Sequence, residues 1–202
     1  MLLPGFATRP WRMRALHQGL EAAGHRVFDW GLGRNMGASA TLLERLGDRI
    51  AAIAAQEGES LILVGWSLGG LYAREAAKLH PDSVALVVTL GSPFSGDLHA
   101  NRAWRAYHGI TGQDVAVPPV VGRLAAKPPV RTVALWSPRD GIVHRRAARG
   151  RAGERDAAVA LRCTHLGFPG HPAVLAEVLR QIEAEPAPPA TLEPAAKSSG
   201  VA

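Results

Sequence analysis

Short apolar runs alternate along the chain with longer segments in which apolar residues recur every three or four positions. Runs rich in apolar and β-branched residues predict strands, and they occur at 25–30, 61–64, 84–90, 130–136 and 157–161. Leu2-Leu3 adds a short first strand. Segments with helical spacing lie between the runs, as from Leu43 to Ile53. Because strands that alternate with helices form mostly parallel sheets covered on both faces, the sequence predicts a three-layer, doubly wound α/β fold with six strands.

The alternation is interrupted once and then ends. Residues 95–130 hold one amphipathic segment followed by Pro118-Pro119 and Pro128-Pro129, which predicts a small insertion beside the sheet. From Pro186 the chain is rich in proline, alanine and small polar residues, which is typical of disordered chain. We therefore expect one domain over residues 1–184, which includes the insertion, and a disordered tail over residues 185–202.

Composition narrows the class of protein. The 202 residues are 47% hydrophobic and 20% charged, as in ordinary globular domains. The single cysteine, Cys163, excludes an internal disulfide framework, and we interpret it as a small apolar residue at a strand end. No apolar run approaches the roughly 20 residues of a membrane span. The first residues lack a basic leader and a cleavage site, so the sequence predicts a cytoplasmic protein.

The net charge of +6 comes mainly from arginine and is densest between Arg139 and Arg155. Such a run is either a patch for nucleic acid or anionic lipid, or a solvated surface of a basic protein. No nucleic-acid-binding motif accompanies the run, which favours the solvated surface. The sequence therefore predicts that nucleic acid is not a partner.

The run Leu61-Ile62-Leu63-Val64 leads directly into Gly65-Trp66-Ser67-Leu68-Gly69, and a segment with helical spacing follows. A strand, a tight turn with serine at its apex and a helix form the G-x-S-x-G nucleophile elbow. Glycine is required on both sides of the serine because larger side chains would collide within the turn. The helix directs its first N–H groups to the place where negative charge develops in acyl transfer. Ser67 is therefore the candidate nucleophile.

A serine nucleophile needs a base, and the base needs a carboxylate that orients it. Asp140 follows the strand predicted at 130–136, and His165 follows the strand predicted at 157–161. Each has a simpler interpretation, since aspartate before glycine is common in turns and a loop histidine is often only solvated. His171 is an alternative base, although its place before Pro172 suits a helix cap. The order Ser67, Asp140, His165 is the order that one class of hydrolases uses.

These motifs together resemble the α/β-hydrolase superfamily, and most closely its small bacterial lipase- and esterase-like members. The resemblance covers residues 1 to about 184 and includes Gly91-Ser92-Pro93, which is similar to the G-[ST]-P of lipases. Full-size members have two further strands at the start, so the resemblance implies a minimal form of the fold that lacks them. Histidine often precedes the glycine of the oxyanion loop in the family, and Pro4 stands there in this chain.

The resemblance implies a serine esterase or lipase that works through an acyl-enzyme, with Ser67 as nucleophile, His165 as base and Asp140 as the orienting carboxylate. The oxyanion would be held by the backbone N–H groups of Phe6 and Leu68. No metal or cofactor is expected, and the partner is a small ester or lipid-like molecule. An acyltransferase with the same triad and a catalytically silent binding protein on this fold are alternatives. A monomer is favoured, although no pattern decides the oligomeric state.

The short first strand is also expected to occupy a central place. In the fold that the resemblance implies, Leu2-Leu3 lies between the strands at 25–30 and 61–64 and holds Phe6 beside the elbow. Few ladder hydrogen bonds are available to so short a strand. We therefore expect weak activity and modest stability, both improved by extending the strand upstream with β-branched residues.

Overall fold

The structure, a computed structural model, describes residues 1–37, 39, 41–96 and 124–184. Its centre is one parallel sheet whose strands follow chain order from edge to edge. The strands are β1 (Leu2–Leu3), β2 (Leu61–Trp66), β3 (Val84–Leu90), β4 (Arg131–Trp136) and β5 (Ala157–Ala160). The parallel sheet, flanked by helices, confirms the predicted α/β fold.

The segment predicted as a strand at 25–30 makes a single bridge rather than a ladder. Leu2 pairs with Asp29 on one side and with Val64 on the other. The N–H of Leu2 donates to the carbonyl of Phe28 at 2.8 Å. This confirms the expected place of Leu2-Leu3 between the two segments. Since β1 has only two residues, a partner on that side has little backbone to pair with, and the described sheet has five strands instead of six.

Five α-helices are present among the described residues. They are α1 (Arg14–Ala22), α2 (Leu42–Glu57), α3 (Leu68–Leu79), α4 (Arg145–Arg149) and α5 (Pro172–Glu183). Three 3₁₀ segments accompany them, at Pro10–Met13, Pro81–Ser83 and His165–Gly170. The helix predicted within 95–130 and the tail at 185–202 lie outside the described residues, so the proposed domain limits stay predictions.

The two faces of the sheet bury separate apolar clusters, as the alternation of strand side chains requires. Leu3, Leu63 and Val87 face α2 and α3, whereas Val64 and Val88 face α1 and α5. Both strands β2 and β3 are buried on both faces, which explains their nearly continuous apolar sequence. In the part of the chain that the structure describes, no helix is both long and apolar enough to cross a membrane.

We predict that Leu3→Ala lowers the free energy of unfolding by about 2–5 kcal/mol, because the Leu3 side chain is 0% exposed and packs in the apolar cluster beneath α2 and α3. Leu79→Ala is the matched control, since Leu79 is 60% exposed near the end of α3. Urea unfolding of both variants measures the difference. A loss at Leu3 no larger than that at Leu79 would show that β1 contributes little to the core.

Candidate active site

Ser67 occupies a strained turn between β2 and α3. Its φ of 53° and ψ of −118° lie outside the regions that side-chain-bearing residues usually adopt. The turn brings α3 so close to the end of β2 that a Cβ on Gly65 would lie 2.4 Å from Gly70 Cα. A Cβ on Gly69 would lie 2.3 Å from the carbonyl oxygen of Leu3. Backbone contacts therefore require both glycines of the motif. Gly65 is required within the turn, as predicted, whereas Gly69 is required by the approach of α3 to β1.

Asp140 lies in the loop after β4 and is 5% exposed. Its Oδ1 accepts hydrogen bonds from the N–H groups of Ile142 at 3.0 Å and Val143 at 2.6 Å. These bonds come from the residues directly after Asp140, so the loop itself fixes the carboxylate. Oδ2 is left to face the neighbouring loop, where His165 lies.

His165 begins the 3₁₀ segment after β5 and is 4% exposed. Its Nδ1 is 2.8 Å from Asp140 Oδ2, and its Nε2 is 3.0 Å from Ser67 Oγ. The structure thus brings together the three side chains that the sequence singled out. His171, the alternative base, instead caps α5, where its Nδ1 accepts a hydrogen bond from Ala173 N–H at 3.2 Å.

This arrangement has the geometry needed for nucleophilic catalysis. An imidazole between a hydroxyl and a buried carboxylate can take the hydroxyl proton through one nitrogen while the other nitrogen donates to the carboxylate. Both contacts are within hydrogen-bond distance. Among the described residues, no group of three or more histidine, cysteine and acidic side chains could hold a metal ion.

Trp66 has a structural role that its sequence position did not show. The indole is 2% exposed, and its Nε1 donates to the carbonyl of His165 at 3.1 Å. A Cβ on Gly5 would lie 3.0 Å from the same ring. The residue next to Ser67 therefore contacts both the loop of His165 and the loop of Phe6. The sequence does not predict this role, because a hydrogen bond across 99 positions leaves no local signal.

The loop that holds Phe6 is fixed by Asn35, which the sequence did not single out. Ala7 has a φ of 58° and donates its N–H to the carbonyl of Asn35 at 2.6 Å. Asn35 Nδ2 donates to the carbonyl of Pro4 at 2.7 Å, and Asn35 is 0% exposed. The glycine-rich loop around Asn35 thus supports the turn that begins at Pro4. Leu68 directly follows Ser67, and the loop of Phe6 contacts Trp66 through Gly5. The roles of Phe6 and Leu68 as oxyanion donors stay predictions.

The arginine run after Asp140 is mostly on the surface. Arg139, Arg145, Arg146 and Arg151 are exposed, and Arg149 lies with its guanidinium 5.8 Å from the Trp136 ring centroid. The absence of a nucleic-acid partner stays a prediction.

Comparison with known proteins places the chain in a family. A sequence model of the alpha/beta hydrolase family matches residues 1–120, which is more than half of the chain. The chain belongs to the alpha/beta hydrolase family. Solved structures extend the likeness of fold over almost the whole chain. A monoacylglycerol lipase from Paleococcus ferrophilus is similar with a TM-score of 0.59 at 18% identity, covering 90% of each chain. A hydrolase from Pseudomonas aeruginosa PA01 gives a TM-score of 0.62 at 17% identity, covering 91% of this chain and 89% of that one.

Curated relatives match a shorter part of this alpha/beta hydrolase. A pimeloyl-[acyl-carrier protein] methyl ester esterase from Citrobacter koseri is 36% identical over 74 residues, which are 37% of this chain and 27% of the relative. The esterase of the same name from Salmonella heidelberg is 40% identical over 74 residues, with the same coverage. The match therefore spans about a quarter of the length of these relatives.

Cys163 provides a test of how closed this part of the site is. Burial, together with the nearby charge of Asp140, raises the pKa of the Cys163 thiol to about 11. At about pH 8 only roughly one thiol in a thousand is then ionised, whereas an unfolded cysteine has a pKa of about 8.5. We predict that folded protein reacts with Ellman's reagent far more slowly than protein in guanidinium chloride. Rapid, stoichiometric reaction of the folded protein would contradict the buried position.

Proposed function

We propose that this alpha/beta hydrolase cleaves carboxylic esters through Ser67, His165 and Asp140. The observation that carries the proposal is the continuous hydrogen-bond chain from Ser67 Oγ through His165 to Asp140, with distances of 3.0 Å and 2.8 Å. Family membership and the esterase names of the curated relatives support the same reaction class.

His165 Nε2 takes the proton from Ser67 Oγ as the oxygen attacks the ester carbonyl, and the tetrahedral intermediate forms. The same proton passes to the leaving alcohol, which departs and leaves an acyl group on Ser67. Water, deprotonated by His165, then attacks the acyl-enzyme. The acid is released as Ser67 Oγ leaves and takes the proton back from His165 Nε2. Asp140 holds the ring through Nδ1–H and stabilises its positive charge while Nε2 carries the proton.

The negative oxygen of the intermediate is stabilised by the N–H groups of Phe6 and Leu68. Leu68 is the first residue of α3, and the first N–H groups of a helix have no partner within the helix. The loop of Phe6 is held next to α3. The carbonyl of Pro4 accepts a hydrogen bond from the Asn35 side-chain amide, and it lies so close to Gly69 that a side chain there would contact it. Two N–H donors fixed in this way stabilise developing charge without rearrangement.

The substrate is a small carboxylic ester or a lipid-like ester. The named relatives act on a methyl ester carried by acyl-carrier protein, and a structural neighbour is a lipase, so the ester bond is the feature that they share. The three side chains supply nucleophile, base and orientation, so the proposed reaction requires no metal or cofactor.

We predict that Ser67→Ala lowers kcat for a short p-nitrophenyl ester by a factor of about 10⁴ or more, because the variant has no nucleophile. A fluorophosphonate probe should label the wild type at Ser67, and mass spectrometry of the labelled peptide identifies the site.

Ser83→Ala is the matched control. Ser83 directly precedes β3 and so lies at the amino-terminal ends of the strands, whereas Ser67 lies at their carboxyl ends. It should keep both hydrolysis and labelling. Wild-type turnover in Ser67→Ala would refute the proposal. Labelling of Ser67 without ester hydrolysis would point to transfer of the acyl group to an acceptor other than water.

The two histidines after β5 give a second test of the site. We predict that His165→Ala lowers kcat by a factor of about 10⁴ or more, as expected for loss of the general base. His171→Ala should change kcat by less than about threefold and lower stability by about 1 kcal/mol, because it removes only the cap of α5. Steady-state kinetics and thermal unfolding of both variants distinguish the two roles. The reverse pattern would assign the base to His171.

A further inference from the structure

Ser137 lies one residue beyond the end of β4 and is 1% exposed. Its hydroxyl takes part in three hydrogen bonds, all to backbone groups. It donates to the carbonyl of Cys163 at 2.6 Å, and it accepts from Cys163 N–H at 3.3 Å and from Arg139 N–H at 3.0 Å. One oxygen atom therefore connects the loop after β4 with the loop after β5.

These contacts stand next to the two residues that form the proposed acid–base pair. Arg139 directly precedes Asp140, and Cys163 lies two positions before His165. The same loops are also joined by a backbone hydrogen bond from His165 N–H to the carbonyl of Asp140 at 2.9 Å, and by the side-chain contact of His165 Nδ1 with Asp140 Oδ2 at 2.8 Å. The separation of the imidazole and the carboxylate thus depends on how these two loops are joined.

The sheet itself does not set that separation. The register between β4 and β5 ends at Trp136 and Ala160, and the last ladder-like bond runs from Leu161 N–H to the carbonyl of Trp136. Beyond this point the strands no longer hold the chains at a fixed spacing. Ser137 joins the two chains where the ladder stops. Its hydroxyl hydrogen-bonds both the N–H and the C=O of Cys163, the groups that a neighbouring strand would pair with in a sheet.

We propose that Ser137 is a positioning residue that sets the distance between Asp140 and His165 by joining their loops. Its catalytic meaning rests on the proposed esterase function. An alanine at this place would fill nearly the same volume but would leave Cys163 N–H and C=O and Arg139 N–H without their partner. The loops would then separate or shift, and a displacement of an ångström in an acid–base pair costs up to about a hundredfold in rate.

The test compares Ser137→Ala with Thr132→Val. Thr132 lies in β4, the strand that leads to Ser137, is 0% exposed and donates its hydroxyl to the carbonyl of Val130, so this control also removes one buried hydroxyl. We expect Ser137→Ala to lower kcat about 10- to 100-fold with KM within about twofold. Thr132→Val should lower the melting temperature without a comparable loss of kcat.

A proton spectrum gives a readout that needs no substrate. The N–H that His165 shares with Asp140 should produce a low-field resonance. We expect this resonance to shift or broaden in Ser137→Ala and to stay unchanged in Thr132→Val. If wild-type protein shows the resonance but hydrolyses no ester, the proposed function fails while the role of Ser137 is still tested by the spectrum.

A loss of kcat in Ser137→Ala no greater than in the control, or an unmoved resonance, would overturn the proposal. Ser137→Thr keeps the hydroxyl and covers the case in which the alanine variant does not fold. It should retain kcat within about threefold of wild type even if its melting temperature falls. A tenfold or greater loss of kcat in folded Ser137→Thr would also overturn the proposal.

Discussion

The site depends first on the strained turn at Ser67. A residue with φ of 53° and ψ of −118° persists only where its surroundings over-determine it. Here the turn is held by β2, which pairs with β3 through Trp66, and by α3, whose glycines let it approach the backbone of β1. The N–H of Ser67 also donates to the carbonyl of Leu90 at 2.9 Å. The central strands and the glycine spacing therefore serve one purpose, which is to hold a hydroxyl out of the sheet at a fixed point.

The partners of Ser67 come from other strands, and the parallel sheet explains why they meet. The carboxyl ends of all strands in a parallel sheet lie on the same side, so the loops after β2, β4 and β5 converge there. Beyond the strand ends, the ladder no longer controls distances. A few side-chain hydrogen bonds hold the loops there instead. Trp66 Nε1 donates to the carbonyl of His165, and Asn35 Nδ2 donates to the carbonyl of Pro4. Precision at the site is thus a property of these long-range hydrogen bonds rather than of the sheet alone.

This division explains what the sequence could predict. Ser67, Asp140 and His165 each follow a recognisable apolar run. Their common place at the carboxyl ends of the strands could therefore be inferred from local pattern and topology. Asn35 could not, because an asparagine in a glycine-rich loop has the same local signature whether it is solvated or, as here, buried against another loop. The strand predicted at 25–30 is instead an error of local pattern, because the segment makes only one bridge. Its composition favours a strand, but the two residues of β1 limit the pairing that it can make.

The two carboxylate oxygens of Asp140 have different roles, since one fixes the side chain to its own loop and the other contacts His165. Oδ1 accepts two backbone N–H groups of its own loop, and Oδ2 faces His165. Rotation of the carboxylate would break the first set of bonds, so the second oxygen cannot turn away from the imidazole without cost. A glycine at position 91 is then required, since a Cβ there would lie 2.9 Å from Oδ2. The carboxylate is therefore confined by its own loop on one side and by the end of β3 on the other. In the proposed mechanism its orientation is set before any charge develops on His165, which is the condition for a fixed charge to lower a barrier.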